Sequence, residues 1–304
     1  MSTLPITEPG AYADISQNDY HGIEICDAPS ISSSGLKLIT TKSPRHYWWQ
    51  SPLNPARAAR DDKPHFSIGL ALHDVLLLDG KFGKGYHITP EGFDARQTIK
   101  WGDAVEALAY ARRKGKVVLT HDQSKAVIAM AASINEDELA RALITAGEPE
   151  MTLAAKDPET GVWLRARPDV LPTVMDIIPD IKTAADAALE PYERAVTRFG
   201  YFQSAAHYID VIDLIYGQKK RRFVLITVEK TPPYCVVIDH LDDSDIDLAR
   251  LKNRAAINKF ADALKTGVWP AYTRPGEIRQ LLMTNYERSM INEAVDRGEL
   301  SYHA

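Results

Sequence analysis

Asp169, closing Arg167-Pro168-Asp169, stands eleven residues ahead of Asp180, which opens Asp180-Ile181-Lys182 at the end of an apolar run. Two carboxylates suit a hard divalent cation, and a lysine two residues beyond the second acid shares its face of a strand. An ammonium group there can orient water or offset charge on a phosphate. The pair of motifs therefore points to metal-dependent phosphodiester chemistry.

Such chemistry needs elements that bring the two motifs together. Residues 151–155 alternate as a short strand, Asp157-Pro158-Glu159-Thr160-Gly161 has the composition of a turn, and residues 162–167 resume the alternation. Val174-Met175-Asp176-Ile177-Ile178-Pro179-Asp180 follows as a third run, so a three-stranded antiparallel meander is predicted. If the first turn sets Lys156 opposite Trp163, Glu150 falls opposite Asp169; if the second runs over residues 173–176, Asp169 falls opposite Asp180. Glu150, Asp169 and Asp180 then come level, with Lys182 on the face of Asp180. Three acids so placed repel one another unless a cation sits among them.

Helices flank this core. Serines 32–34 ahead of Leu36, Leu38 and Ile39 signal a helix start, and Ser43-Pro44 opens a second helix carrying Tyr47, Trp48 and Trp49. Residues 65–78 are apolar on nearly every side and include His73, with Asp79-Gly80 as the stop. Helical spacing recurs over residues 101–113, 122–130 and 135–145, and residues 190–216 read as a helix that Gly200 divides. Residues 222–228 and 234–238 form a predicted hairpin, and Ser244 is the expected cap of a long helix reaching Leu264. Residues 1–30 read as a polar, irregular segment over the surface, residues 31–270 as the main domain, and residues 271–304 as a helical tail. Lys219-Lys220-Arg221-Arg222 is a solvated basic loop or a contact for phosphate backbone.

Composition narrows the classes. The chain has 304 residues, 45% apolar and 25% charged, enough for a real core. A formal net charge of -5 excludes a basic nucleic-acid coat, so any DNA contact rests on a local basic groove and bound metal. Cys26 and Cys235 are too few for a four-cysteine zinc or iron-sulfur site within one chain. The cysteine usage, and the lack of a signal-like start or of a long apolar run, lead us to expect a cytoplasmic protein with no membrane span.

In this order the motifs resemble the PD-(D/E)XK nuclease superfamily, and within it the phage-type exodeoxyribonuclease VIII family, over roughly residues 30–270. Ile31-Ser32-Ser33-Ser34-Gly35-Leu36-Lys37 with Ser43-Pro44-Arg45-His46-Tyr47 resembles the family's opening signature. Gly69-Leu70-Ala71-Leu72-His73 resembles its histidine-bearing helix, Glu150 its first acid, and Arg167-Pro168-Asp169 and Asp180-Ile181-Lys182-Thr183 its two core motifs. The resemblance implies a restriction-endonuclease-like α/β fold, with a mixed central sheet flanked by helices. It implies Mg²⁺ or Mn²⁺ held by His73, Glu150, Asp169 and Asp180, and Lys182 positioning the attacking water.

Related nucleases place a glutamine four residues before a tyrosine on the next helix; here Ser204 stands four before Tyr208 and the glutamine is Gln203. Gln203 and Tyr208 are secondary candidates, and whether Gln203 or Ser204 fills that role stays open. The family further implies DNA recombination: double-stranded DNA degraded from its 5′ ends, a single-strand annealing partner and a homo-oligomer. The alternative is a catalytically inactive nuclease-fold protein that binds DNA or a partner. An iron-sulfur nuclease of the same superfamily ranks lower on cysteine count.

Overall fold

The structure is a computed structural model that describes residues 4–57, 64–78, 81–174, 176–273 and 276–301. The chain divides into two units, residues 1–269 and residues 270–304. The first begins with β1 (Gly10–Tyr12), α1 (Gln17–Tyr20) and β2 (Ser30–Ser32), then α2 (Ser33–Thr41), α3 (Pro44–Gln50) and α4 (Pro64–Leu77). A peripheral layer follows: α5 (Lys81–Gly85), β3 (Tyr86–Ile88), α6 (Thr98–Arg113), β4 (Val117–Leu119), α7 (His121–Glu136) and α8 (Glu138–Ile144). The strands β5 (Gly147–Pro149), β6 (Thr152–Lys156), β7 (Trp163–Ala166), β8 (Val170–Pro172) and β9 (Ile177–Ala184) come next. The unit closes with α9 (Leu189–Phe199), α10 (Tyr201–Tyr216), β10 (Arg222–Glu229), β11 (Val236–His240) and α11 (Asp243–Thr266). This is the expected mixed α/β architecture.

Local chemistry accounts for the boundaries near the site. Ser43 accepts a hydrogen bond from the His46 amide, and Pro44 takes the first helical position of α3. Gly200 adopts a left-handed φ of 65° and separates α9 from α10. The cap of α11 is Asp242, one position ahead of its first residue, and not Ser244; its carboxylate takes the Ser244 and Asp245 amides. A carboxylate facing the amide ends of a helix is the stronger acceptor of the two. The stop expected at Asp79-Gly80, and Met175 in the third strand run, lie outside the described residues.

The first predicted strand pair holds in register. Lys156 faces Trp163 in the β6–β7 ladder, and β5 continues against β8 with Pro149 opposite Val170. The Glu150 amide then donates to the Asp169 carbonyl at 3.1 Å. The third strand departs from the predicted meander: β9 pairs in parallel with β10, Asp180 lying opposite Leu225 and Lys182 opposite Thr227. The helices α9 and α10 between them supply the long crossover that parallel neighbours need. β11 adds to β10 antiparallel, as the hairpin pattern predicts.

Both faces of this second sheet are covered, which suits near-continuous apolar strands. Ile178, Phe223 and Leu225 enter one core with Leu36, Ile209 and Phe260. Ile181, Ile226 and Val228 enter the other with Leu72, Val127 and Met130. Burying a side chain of this size contributes about 2 kcal/mol, so these alternating residues lock the register of β9 and with it the positions of Asp180 and Lys182.

The segment expected to be irregular, residues 1–30, is built into the fold. β1 pairs antiparallel with β6, Ala11 opposite Leu153, and β2 runs parallel to β7. Ile6, Ile15, Tyr20, Ile25 and Cys26 form a small core with Trp163. Its apolar residues lie too far apart to show a strand period. In the second unit, α12 (Asn285–Asp296) is capped by Thr284 and contains no buried residue. Among the described residues, no helix is long and apolar enough to cross a membrane.

Candidate metal centre

Ile181, between the acid and the lysine of the second motif, organises the centre through its backbone. β9 stands at one end of the β11-β10-β9 order. The Ile181 amide donates to Asp169 Oδ2 at 2.5 Å, while its carbonyl accepts from His73 Nε2 at 3.2 Å and from Lys182 Nζ at 3.1 Å. Because a carbonyl only accepts, His73 carries a proton on Nε2, and its Nδ1 is the atom turned to the acids. Nδ1 lies 3.3 Å from Asp169 Oδ1 and 3.8 Å from Glu150 Oε1.

The three side chains come from three elements. His73 is carried by α4, whose neighbours Ala71 and Leu72 are fully buried, so the ring is delivered from a helix anchored in the core. Asp169 sits between β7 and β8. Glu150 lies between β5 and β6 with a φ of 52°, a left-handed backbone that an L-residue seldom adopts. Such strain persists only where surroundings over-determine it, and it gathers at functional sites. Donor atoms of His73, Glu150 and Asp169 all lie within 4.8 Å of one another.

Asp180 stands beside this trio and is engaged by Lys182 in a close ion pair. The electrostatics separate the two aspartates. Burial would raise Asp169, but the adjoining His73 outweighs it and holds the carboxyl below its ordinary range. Asp180 is raised, first by burial and then by Asp169, against the pull of Lys182. Burial disfavours a charged His73, yet Asp169 and Glu150 together lift it to about 10. Lys182 is likewise raised despite burial, by Asp180 and Asp169. One imidazole and two carboxylates converging on a space of this size fit a hard divalent cation; the charged ring occupies the place of positive charge between the acids.

The secondary candidates separate. Tyr208 packs on Phe223 with ring centroids 6.1 Å apart, and its hydroxyl is raised well above its ordinary range by burial, then by the charges of Tyr20, Asp180, Asp169 and Glu150. Gln203 turns elsewhere: its amide donates to Thr40 Oγ1 and Asn253 Oδ1, each at 3.1 Å, tying α10 to α2 and α11. Ser204 is the member of that pair nearer the charges, accepting from Lys37 Nζ at 2.9 Å and from Ser33 Oγ at 3.0 Å.

Lys37 is the residue that motif reading left without a role. Its side chain reaches from α2 to Ser204 and to the Phe199 carbonyl at 3.2 Å. Burial and the neighbouring Lys182 depress it to about 8, against the attraction of Asp180. In the sequence it stood one turn into a serine-led helix, at the end of the run Ile31–Lys37 that resembles the family's opening signature. Of the basic run near residue 220, Arg221 is buried and pairs with Asp213, Lys219 pairs with Asp176 at the surface, and Lys220 and Arg222 are exposed. Arg167 of the first motif also binds inward, to Thr152 Oγ1 and the Ile15 carbonyl.

A strained acid, a helix-borne histidine and an Asp-X-Lys on an edge strand, set in this mixed α/β frame, define the PD-(D/E)XK nuclease fold. The chain belongs to the family described as a PDDEXK-like domain of unknown function (DUF3799), whose profile matches residues 32–280. Its structure is similar to the crystal structure of a "Putative exonuclease" from Eubacterium rectale, with a TM-score of 0.60 and 16% identity over 91% of this chain and 98% of that one. At that identity the likeness is one of fold. A second structure, of a protein designated SSO0001, covers 63% of this chain and 85% of its own at 12% identity; with a TM-score of 0.27 it carries no argument. No curated protein matches the chain.

Proposed function

We propose that this protein is a divalent-metal-dependent DNA exonuclease of the exodeoxyribonuclease VIII kind, using Mg²⁺ or Mn²⁺. The observation that carries the reading is the convergence of His73, Glu150 and Asp169 beside the Asp180–Lys182 pair. His73 Nδ1 and the carboxylates of Glu150, Asp169 and Asp180 would hold the ion, which supplies Lewis acidity to a phosphoryl oxygen and to water. Lys182 provides the protein's own cation. Among the described residues, Asp180 and the Ile181 carbonyl take two of its three N–H bonds, leaving one for a phosphate oxygen or the attacking water. Tyr208 walls the acids, and Gln203 keeps α10 in place through Thr40 and Asn253.

By family resemblance the substrate is linear double-stranded DNA, degraded from 5′ ends to leave single strands for recombination with an annealing partner, the enzyme acting as a homo-oligomer. End-labelled linear duplex incubated with purified protein, with and without Mg²⁺, tests this. Loss of terminal label only with the metal is expected, while a covalently closed circle stays intact. Duplex that is bound but uncut in Mg²⁺ and in Mn²⁺ would favour the binding-only alternative.

A further inference from the structure

The stripe of α9 that faces the core contains Tyr192 and Val196, both buried, and at the next helical interval Phe199, which is 50% exposed. Phe199 is the last residue of the helix, and its ring stacks on that of Tyr201 across Gly200, with centroids 5.8 Å apart and planes inclined by 24°. The Tyr201 ring in turn lies 5.4 Å from Lys182 Nζ, and the Arg198 guanidinium lies 4.7 Å from the Phe199 ring. The junction is held from below, where Lys37 donates to the Phe199 carbonyl. A side chain at position 200 would meet Lys37, its Cβ 2.9 Å from the lysine Cδ, in addition to the strain of a left-handed φ. The two rings are thus built into a fixed step leading from the reactive lysine to solvent.

We propose that Phe199 and Tyr201 form a stacking platform for an unpaired terminal base of a DNA strand whose phosphate lies at Lys182. The assignment rests on the nuclease reading above and specifies how that site recognises its substrate. An apolar face alone would suit many partners, but three cations, Arg198, Lys37 and Lys182, border this one in a chain whose net charge is -5. Aromatic faces edged by cations are what single-stranded nucleic acid uses, since every base offers a π-face and every linkage a negative charge. The platform is a positioning device: stacking one end base fixes the neighbouring phosphate against Lys182, which favours ends over internal linkages.

The test uses oligonucleotides with 2-aminopurine at either terminus, single-stranded and duplex, titrated with the full chain in Ca²⁺, and then cleavage of the same strands in Mg²⁺. Wild-type protein is expected to quench the terminal fluorophore on binding. Phe199→Leu, which keeps apolar volume without a π-face, should lose the quench and bind roughly 5- to 150-fold more weakly, the range for one stacked base. KM should rise by a similar factor with kcat changed less, and Phe199→Trp should restore both. A Phe199→Leu protein with wild-type quenching and KM overturns the platform while leaving the nuclease reading intact. Wild-type protein that neither binds nor cuts DNA overturns the nuclease reading and the platform with it.

Discussion

Replacing Lys37 by methionine should make the protein more stable and less able to act on DNA. The lysine is held at about 8 against an ordinary 10.5, first by burial and then by repulsion from Lys182. At neutral pH the folded state therefore carries a charge it disfavours, by about 3 kcal/mol on the conversion of about 1.4 kcal/mol for each tenfold change. Methionine keeps the length of the stem and removes the charge. It also removes the hydrogen bonds to Ser204 and the Phe199 carbonyl, each contributing about 1 kcal/mol net. The balance is a gain of about 1–2 kcal/mol at pH 7.

The pH dependence has a definite sign. The folded value lies below the unfolded one, so the penalty is full below about pH 8 and disappears as pH rises towards 10.5. Urea melts of both proteins at pH 7 and pH 10 should show the advantage of Lys37→Met at pH 7 and its shrinkage at pH 10. DNA affinity should fall, and its salt dependence should become shallower by about one phosphate contact. A variant less stable than wild type at pH 7, with unchanged DNA affinity, would refute the account, since Lys37 would then be an ordinary structural hydrogen-bonder. A destabilising charge beside the proposed metal centre would be the usual form of a stability–function exchange.

Asp180→Ala and Lys182→Ala should each reduce DNA degradation by about 100-fold or more, with far-UV circular dichroism unchanged. Mg²⁺ or Mn²⁺ at a hundredfold excess over Kd should raise stability by about 2.7 kcal/mol, a Tm increase of about 4 °C for a chain of this size, and Asp169→Asn should lose that increase in a thermal melt. Asp157, nearly fully buried, receives both ends of the Arg254 guanidinium at 2.8 and 2.9 Å, along with the Thr160 amide and hydroxyl. Its carboxyl is held below the ordinary 3.8, so its contribution is present above that pH and is lost as pH falls through the folded value. Asp157→Asn should be less stable than wild type by about 2 kcal/mol at pH 7, and chemical denaturation at pH 3 should show the gap closing.

Much of the frame was legible because local rules and packing agree there. The Ser43-Pro44 start, the break at Gly200 and the β6–β7 register follow from capping, backbone freedom and strand alternation, and the structure has each of them. The direction of β9 was not legible. Its apolar run suits an antiparallel third strand as well as a parallel one, and the parallel partner lies more than thirty residues ahead, beyond two helices. Glu150 could be suspected as an acid at a strand start, but its left-handed φ, which aims the carboxylate, has no glycine or asparagine to announce it. The edge strand β1 was hidden for another reason: three residues pairing with a strand far along the chain leave no periodic trace.

The position of the centre follows from an obligation of the sheet. An edge strand presents amides and carbonyls that must find partners or else invite another chain. At Ile181 both groups are taken by side chains, the amide by Asp169 and the carbonyl by His73 and Lys182. Three chemistry-bearing groups thereby also close the edge of β9, and the buried isoleucine that sets their separation is held by the core beneath it. The acids can then be brought close together without relying on their mutual contacts, which are repulsive. The Ile181 backbone fixes the Asp169 carboxylate, His73 and Lys182 before any cation arrives, and Lys182 in turn holds Asp180.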